Sequence, residues 1–197
     1  MTLNELYDNS TFITPAIAAE LETKCSEIIQ IYRDSHEMIY TGRTNSGEIL
    51  HVPTIVNRRT RNVPLHIQQI VDNNLYKEGF TALRHNSLFC SGDYKQTHAY
   101  GSCYLVFPKN GFSFTWSPLI KDFFLDTLYD EPANVIKKID SISAHDMVES
   151  LGFRHGTSNT PDLLQEAIGS EKEILIHGSS ILITIDYISK LYDVLDL

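Results

Sequence analysis

The sequence GSEKEILIHG, residues 169–178, places two glutamates, Glu171 and Glu173, directly before the apolar run ILI. Such a run is typical of a buried strand, in which successive side chains alternate between the two faces. Glu171 and Glu173 are therefore predicted to lie on the same face, where two neighbouring carboxylates repel each other. The pair indicates either a chemical site or a solvated strand end, and the remainder of the chain has to distinguish these interpretations.

Composition favours one globular domain. The 197 residues are 42% hydrophobic and 21% charged, which is ordinary for a chain with a substantial core. The net charge of -9 disfavours a general nucleic-acid binder. No apolar run approaches the roughly 20 residues of a membrane span, and the N-terminal residues lack a signal-peptide pattern. We expect a single cytoplasmic domain over 1–197, with a helical segment at 1–37 and a core at 38–197, that does not associate with membranes.

The order of the predicted elements indicates an α+β fold. Thr-Pro and Ser-Pro pairs mark helix starts, whereas aromatic and β-branched runs mark strands. Helices are predicted at about 15–35, 65–77, 93–101, over a middle section of about 117–150, and at 186–195, with a polar, basic loop at 43–64. Strands are predicted in EMIYTG, NSLFCSG, CYLVFP and FSFTW, with EKEILI and SILITI as a closing hairpin. Because β and α elements do not alternate, we expect a split, mainly antiparallel sheet with helices packed outside it.

The histidines and glycines match no metal or nucleotide motif. In SAHDMVES, His145 and Glu149 lie one turn apart, but a zinc helix of the HExxH kind needs a second histidine where Glu149 stands. Ser143 and Asp146 fit a helix cap without any metal. The glycines supply neither GxGxxG nor a phosphate loop ending in GK[ST]. The sequence therefore predicts no metal site, no Rossmann domain and no P-loop.

The basic loop is a candidate for anion binding. It holds Arg58, Arg59 and Arg61 within four positions of an otherwise acidic chain. Guanidinium groups fit phosphate oxygens well, so the loop indicates a phosphate or an acidic partner. The alternative is a solvated loop whose arginines pair with the excess acidic residues of the chain.

The segment RHNSLFCSGDYKQTHAYG, residues 84–101, suggests a ligand slot. Its strand is predicted to present Ser87, Phe89 and Ser91 on one face, and the following helical turn returns Tyr100 beside that strand. Small hydroxyls next to an aromatic face suit a flat ring and a sugar. The alternative is that Phe89 and Tyr100 are core residues and that Ser91 opens the helix.

Three segments, in order along the chain, resemble the motifs of ADP-ribosyltransferases of the toxin and phage-encoded kind. MIYTGRT is similar to the family's first strand, and makes Arg43 the candidate ligand of the NAD phosphates. SLFCSGDYKQTHAYG resembles the second motif, in which strand serines precede a helix that brings a tyrosine to the nicotinamide. EKEILIHG resembles the Glu-x-Glu motif, with Glu173 as the catalytic glutamate and Glu171 as its upstream partner. The residues that the resemblance assigns to NAD binding are Arg43, Ser87, Phe89, Ser91 and Tyr100.

The chain departs from the family pattern in two motifs. The first motif usually has arginine directly after the aromatic residue, whereas two residues separate Tyr40 from Arg43 here. Arg33, Arg58 and Arg84 therefore remain alternative ligands of the phosphates. The second motif usually reads Ser-Thr-Ser, whereas this chain has Cys-Ser-Gly at 90–92.

The resemblance implies a fold around an NAD cleft and an enzyme that moves ADP-ribose from NAD, its co-substrate, onto a macromolecular acceptor without a metal. Host-modifying phage proteins and toxins are of this type, and the acceptor is expected to be a protein rather than a nucleic acid. Breaking the nicotinamide–ribose bond builds positive charge on the ribose, which Glu173 is expected to stabilise while Glu171 orients the acceptor. Two other classes remain open, a catalytically silent interaction protein on the same scaffold and a glycohydrolase that transfers ADP-ribose to water.

Overall fold

Seven α-helices and eight strands occur in the part of the chain that the structure describes. The structure is a computed structural model, and it describes residues 15–44, 47–60, 63–123 and 141–197. The helices are α1 (Pro15–Lys24), α2 (Ser26–Ser35), α3 (Leu65–Lys77), α4 (Tyr94–His98), α5 (Ala144–Ser150), α6 (Pro161–Gly169) and α7 (Ile188–Leu195). The strands are β1 (Tyr40–Arg43), β2 (Ile49–Val52), β3 (Leu88–Ser91), β4 (Ser102–Pro108), β5 (Ser113–Trp116), β6 (Arg154–Thr157), β7 (Glu173–His177) and β8 (Ser180–Thr184). The predicted α+β class is confirmed, while residues 1–14 of the predicted N-terminal segment and residues 124–140 of the predicted middle helical section lie outside the described residues.

Local signals in the sequence fix several helix boundaries. The side chains of Asp93 and Ser143 accept hydrogen bonds from main-chain N–H groups two and three residues later, and so cap α4 and α5. Pro161 opens α6, where its missing N–H is not needed. The single helix predicted over 15–35 is instead two helices. They part at Cys25, next to the Lys24 carbonyl that accepts a hydrogen bond of 2.7 Å from the backbone N–H of Asn110.

The eight strands form one open sheet in the order β2-β8-β4-β1-β3-β7-β5-β6, and every neighbouring pair is antiparallel. The predicted antiparallel character is confirmed. The pairing between β1 and β3 is short. These strands share the single residue pair Tyr40–Ser91, whereas β1 and β4 share four pairs. The sheet is thus continuous, and its weakest join lies at the centre.

The hairpin predicted from EKEILI and SILITI is wrong. β7 pairs with β3 and β5, whereas β8 pairs with β2 and β4, so these consecutive strands lie in opposite halves of the sheet. Both carry consecutive buried residues rather than alternating ones. Such runs are typical of interior strands with both faces covered, and they do not indicate which strand is the neighbour. The chain crosses between the halves at Gly178, whose φ of 132° is accessible to glycine.

Two edge strands are missing from the sequence prediction. β2 lies in the segment predicted as a polar, basic loop, and β6 has the polar sequence RHGT. Each pairs on one side only, at opposite ends of the sheet. Edge strands keep polar side chains in solvent, so their sequences carry little of the apolar pattern that identifies interior strands.

Two apolar clusters hold the fold together. The larger one joins the sheet to α1, α2, α6 and α7, and contains the fully buried Tyr32, Phe107 and Phe114. The smaller one joins α3 and α5 to Phe80, Ile120 and Phe123. Burial of one such large side chain contributes roughly 1.5–3 kcal/mol. Within the described ranges, no helix has the length and apolar character needed to cross a membrane.

Candidate functional site

A cleft of about 730 Å³ opens where β1 and β3 separate. The two strands are in register only at Tyr40 and Ser91, although both continue beyond that pair. Gly42 and Arg43 line one side of the opening, and Phe89 and Ser91 line the other. We call this space, with Glu173 and the nearby arginines that line it, the candidate cleft.

Strand register brings Ser91 and Glu173 together. Ser91 is the last residue of β3 and lies directly opposite Glu173, the first residue of β7. Residues directly opposite in an antiparallel pair project from the same face. Ser91 is also opposite Tyr40 at the start of β1, so three neighbouring strands meet at this position. The sequence prediction that these segments form one site is consistent with this geometry.

Glu173 is held by a buried arginine. An Nη1 N–H of Arg84 donates to Oε1 of Glu173, and the Arg84 side chain is only 4% exposed while that of Glu173 is 16% exposed. The Arg84 guanidinium lies 4.7 Å from the ring centre of Phe89 and 4.5 Å from that of Phe123. Glu173 therefore enters the cleft as a partly accessible carboxylate fixed by a stacked cation.

A second guanidinium packs on the same aromatic ring. Arg58 lies 4.2 Å from the ring centre of Phe89, and one of its Nη1 N–H groups donates to the Ser87 carbonyl at 3.3 Å. Burial lowers the pKa of Arg58, and the neighbouring cations Arg43 and Arg84 lower it further. An anion that enters the cleft would stabilise the charged form of Arg58, which the neighbouring cations disfavour.

Two more arginines in the cleft have no partner among the residues that the structure describes. Arg43 and Arg59 both line it. Neither guanidinium makes a hydrogen bond or an ion pair within the described part of the chain. Four arginines and two acids, Glu173 and Asp122, line the cleft, which leaves an excess of positive charge in a protein of net charge -9. This excess favours an anionic ligand.

Close packing of α4 on β1 places Tyr100 at the cleft. A Cβ atom on Gly42 would lie 2.1 Å from the Thr97 carbonyl oxygen and 2.8 Å from Cβ of Tyr100, so only glycine permits this approach. The hydroxyl of Tyr100 donates to Oδ2 of Asp122 at 2.7 Å, and the residue remains 49% exposed. Burial and the Asp122 carboxylate raise the pKa of Tyr100 to about 12. Tyr100 therefore presents a neutral ring to the cleft.

The Ser91 hydroxyl is part of the turn that leads into α4. Its Oγ accepts a hydrogen bond from the Asp93 N–H at 3.1 Å, and lies 3.2 Å from Oε1 of Gln96 and 3.3 Å from the Glu171 carbonyl. The hydroxyl thus ties the end of β3 to the segment before β7. It is 2% exposed, so it contributes to the cleft wall mainly by fixing its shape.

Glu171 and Ser87 differ from their predicted positions. β7 begins only at Glu173, and Glu171 precedes it in a turn with φ of 56°, exposed to solvent. The prediction that strand alternation places both glutamates on one face is wrong, because only one of them is in the strand.

Ser87 precedes β3, is fully buried, and donates to Oδ1 of Asn86 at 3.1 Å. Neither Ser87 nor Glu171 lines the cleft. The predicted residues that do line it are Arg43, Phe89, Ser91, Tyr100 and Glu173.

The arginines that the sequence left as alternatives occupy different places. Arg33 donates to the Leu195 carbonyl and to Glu22, and so anchors the C-terminal helix away from the cleft. Arg58 and Arg84 both line the cleft. The basic loop was a usable signal for Arg58, but no local pattern links Arg84 to Glu173, 89 positions later in the chain.

A second cavity of about 880 Å³ adjoins the candidate cleft, and the two share Arg58 and Arg59 as lining residues. We call it the second cavity; one face of α3 and residues 80–86 form its walls. Its buried acid, Asp72, accepts hydrogen bonds from the main-chain N–H groups of Arg84 and His85, and its Oδ2 lies 3.0 Å from Nδ1 of His85. The carboxylate of Asp72 thus serves the local fold.

The structure gives no support to a metal centre among the residues it describes. Within 15–44, 47–60, 63–123 and 141–197, no three His, Cys, Asp or Glu side chains are grouped as ligands. His145 lies 3.3 Å from Glu78 and 3.6 Å from Glu149, and hydrogen bonding to Glu78 raises its pKa. Ser143 caps the helix as expected from the sequence.

A scan against protein-family models, a search of curated proteins and a search of solved structures each find no match to this chain.

Proposed function

We propose that the protein is a mono-ADP-ribosyltransferase that moves ADP-ribose from NAD onto a protein acceptor. The observation that carries the proposal is the meeting of Arg43, Ser91 and Glu173 at one cleft. These residues come from the three segments that resemble the family's motifs, and the segments lie on three neighbouring strands. The single residue pair between β1 and β3 also supports a split-sheet, ADP-ribosyltransferase-like arrangement around the cleft.

The charge distribution of the cleft suits NAD. A dinucleotide carries a pyrophosphate, and guanidinium groups match phosphate oxygens in geometry and charge. Arg43 and Arg59 are available for that role because the fold gives them no other partner within the described residues. The volume of about 730 Å³ lies within the usual range for small-molecule sites.

The aromatic residues of the cleft divide into two roles. Phe89 already contacts the guanidinium groups of Arg58 and Arg84, so its ring serves to position cations. Tyr100 is half exposed and stays neutral. We therefore assign stacking of the nicotinamide ring to Tyr100 rather than to Phe89.

Glu173 is the proposed catalytic residue. When the nicotinamide–ribose bond breaks, positive charge develops on the ribose, as it does in glycoside cleavage. A carboxylate already fixed beside the sugar stabilises that charge without reorganising. Glu171 lies exposed two residues earlier, outside the cleft lining, and there it is suited to meeting an acceptor rather than NAD.

One observation favours a second candidate, a silent binding protein on the same scaffold. The ion pair between Arg84 and Glu173 partly neutralises the carboxylate that catalysis needs. A protein that binds a nucleotide or an acidic partner in the cleft, without cleaving it, is compatible with that pair.

Incubation of the purified chain with NAD labelled in the adenylate phosphate tests both candidates. A cell extract serves as the source of acceptor, and parallel samples contain a chelator, which we expect to have no effect. Label on protein together with released nicotinamide supports the transferase, whereas free ADP-ribose alone indicates a glycohydrolase. Intact NAD with saturable binding in calorimetry indicates the silent binder. No binding at millimolar NAD removes the proposal.

A further inference from the structure

Arg84 is a buried cation whose hydrogen-bonding groups are incompletely satisfied. The residue is 3% exposed, and its Nε–H has no hydrogen-bond partner within the described part of the chain. Burying an unpaired donor destabilises a fold. Buried ion pairs such as Arg84–Glu173 are seldom more stabilising than apolar residues of similar volume. The arrangement is therefore better explained by function than by stability.

The Asp72 carboxylate fixes the backbone at Arg84. The Arg84 N–H donates to Oδ1 of Asp72 at 2.7 Å, and the N–H of His85 donates to Oδ2 of the same carboxylate at 3.1 Å. Asp72 is itself buried, at 5% exposure. The Arg84 side chain thus extends into the cleft from a clamped main chain, which restricts where its guanidinium can go.

The guanidinium is also fixed along its length. It lies against the rings of Phe89 and Phe123, at 4.7 and 4.5 Å from their centres. A planar cation held against two aromatic rings resists rotation and displacement. Arg84 therefore cannot follow a phosphate group across the cleft, whereas Arg43 and Arg59, which have no partner within the described ranges, can.

From this geometry we infer that Arg84 is the positioning residue of Glu173. It holds the carboxylate at a fixed orientation beneath the ribose, and leaves the phosphates to Arg43, Arg58 and Arg59. The inference rests on the proposed function, and it gives Arg84 a role other than that of phosphate ligand, the one role that the sequence left open for it. A phosphate ligand changes NAD affinity, whereas a positioning residue changes the rate of bond cleavage.

Three variants test this role. Arg84→Ala removes the guanidinium, Arg84→Lys keeps the charge without the planar group, and Arg154→Ala is the matched control. Arg154 is also paired with a glutamate, at 2.6 Å from Glu166, and lies 5.5 Å from the Trp116 ring, but it does not line the cleft. The measurements are nicotinamide release at saturating NAD, the Kd of NAD by calorimetry, and thermal stability.

We expect kcat for nicotinamide release to fall by about a hundredfold in Arg84→Ala, which is the loss expected when a catalytic carboxylate is misplaced by about 1 Å. The Kd for NAD should change by less than about threefold, and Arg84→Lys should recover only a small part of kcat. Guanidinium chloride at about 20 mM, compared with sodium chloride of equal concentration, should restore part of the activity of Arg84→Ala by refilling the site between the rings. Arg154→Ala should keep the activity of the wild type and gain nothing from guanidinium.

The outcomes separate the inference from the proposed function. If the wild-type chain releases no nicotinamide, the proposed function fails and this inference fails with it. If the wild type is active and Arg84→Ala is equally active, the inference alone fails. It also fails if Arg84→Ala raises the Kd tenfold at unchanged kcat, since that is the signature of a phosphate ligand. A folded Arg84→Ala variant whose lost activity guanidinium does not restore likewise contradicts it.

Discussion

The candidate cleft and the second cavity share Arg58 and Arg59, yet their charged groups are used in opposite ways. In the second cavity, the Asp72 carboxylate accepts hydrogen bonds from two main-chain N–H groups and contacts His85, so it already has partners within the fold. In the cleft, Arg43, which does not line the second cavity, has no partner within the described residues. Charge that a fold leaves unpaired is available to a ligand. The larger cavity is therefore not the better candidate for the reaction.

The strongest test of this difference is Glu173→Gln in the cleft. The substitution is nearly isosteric, and the amide oxygen can still accept a hydrogen bond from Arg84, so we expect a folded protein of lower stability, because Arg84 loses its counter-ion. A neutral amide cannot balance the charge that develops on the ribose, and nicotinamide release should fall by about a hundredfold or more. Release is measured by chromatography at saturating NAD.

The control for that variant is Glu166→Gln, which neutralises a carboxylate that is also paired with an arginine but is 51% exposed on α6. It should leave nicotinamide release unchanged. Full activity in Glu173→Gln removes the catalytic assignment, and equal losses in both variants point to a general effect on folding.

The partner-free arginines should control affinity. Arg43→Ala and Arg59→Ala are each expected to weaken NAD binding roughly 10- to 100-fold, the usual cost of one charge-assisted hydrogen bond. Stability should hardly change, because neither guanidinium is paired within the described fold. Calorimetry at two salt concentrations measures the effect, which should shrink at high salt. NAD affinities equal to that of the wild type in both variants would place the pyrophosphate elsewhere.

Glu171 should separate transfer from cleavage. It is exposed and lies outside the lining of the cleft, next to the turn that Ser91 holds. Glu171→Gln is therefore expected to lower labelling of the acceptor about tenfold, as loss of a group that orients or deprotonates a nucleophile does. Slow release of nicotinamide to water should persist. Glu149→Gln, 71% exposed on α5, is the control. Parallel loss of both activities in Glu171→Gln contradicts a role on the acceptor side.

The sequence predicted those parts of the fold whose signals are local. The helix over 65–77 and the Ser143 cap follow from short stretches of sequence, and the structure confirms both. The predicted hairpin was wrong because β7 and β8 each pair with segments that are distant in the sequence. A local sequence pattern does not indicate such pairing. The edge strands were missed because they face solvent, and their polar sequences lack the apolar pattern that identifies interior strands.

The same division applies to the candidate site. Arg43, Ser91 and Glu173 were predicted from ordered motifs, and the structure brings all three to the cleft lining. The pair between Arg84 and Glu173 was not predictable, because 89 residues separate the partners and no periodicity relates them. The position of Glu171 was wrong for a smaller reason, since strand alternation was applied two residues before the strand begins.

The smallest expected effect lies in the second cavity, at His85. Its ring lies 3.0 Å from Asp72 through Nδ1, and its side chain is 40% exposed. His85→Gln keeps a side-chain donor near Asp72, so we expect a loss of stability of at most about 1 kcal/mol in urea unfolding. Because His85 does not line the candidate cleft, nicotinamide release should stay within about twofold of the wild type. A tenfold loss of release in a stably folded His85→Gln would show that the two cavities form one active site. A loss of acceptor labelling alone would assign the second cavity to the acceptor.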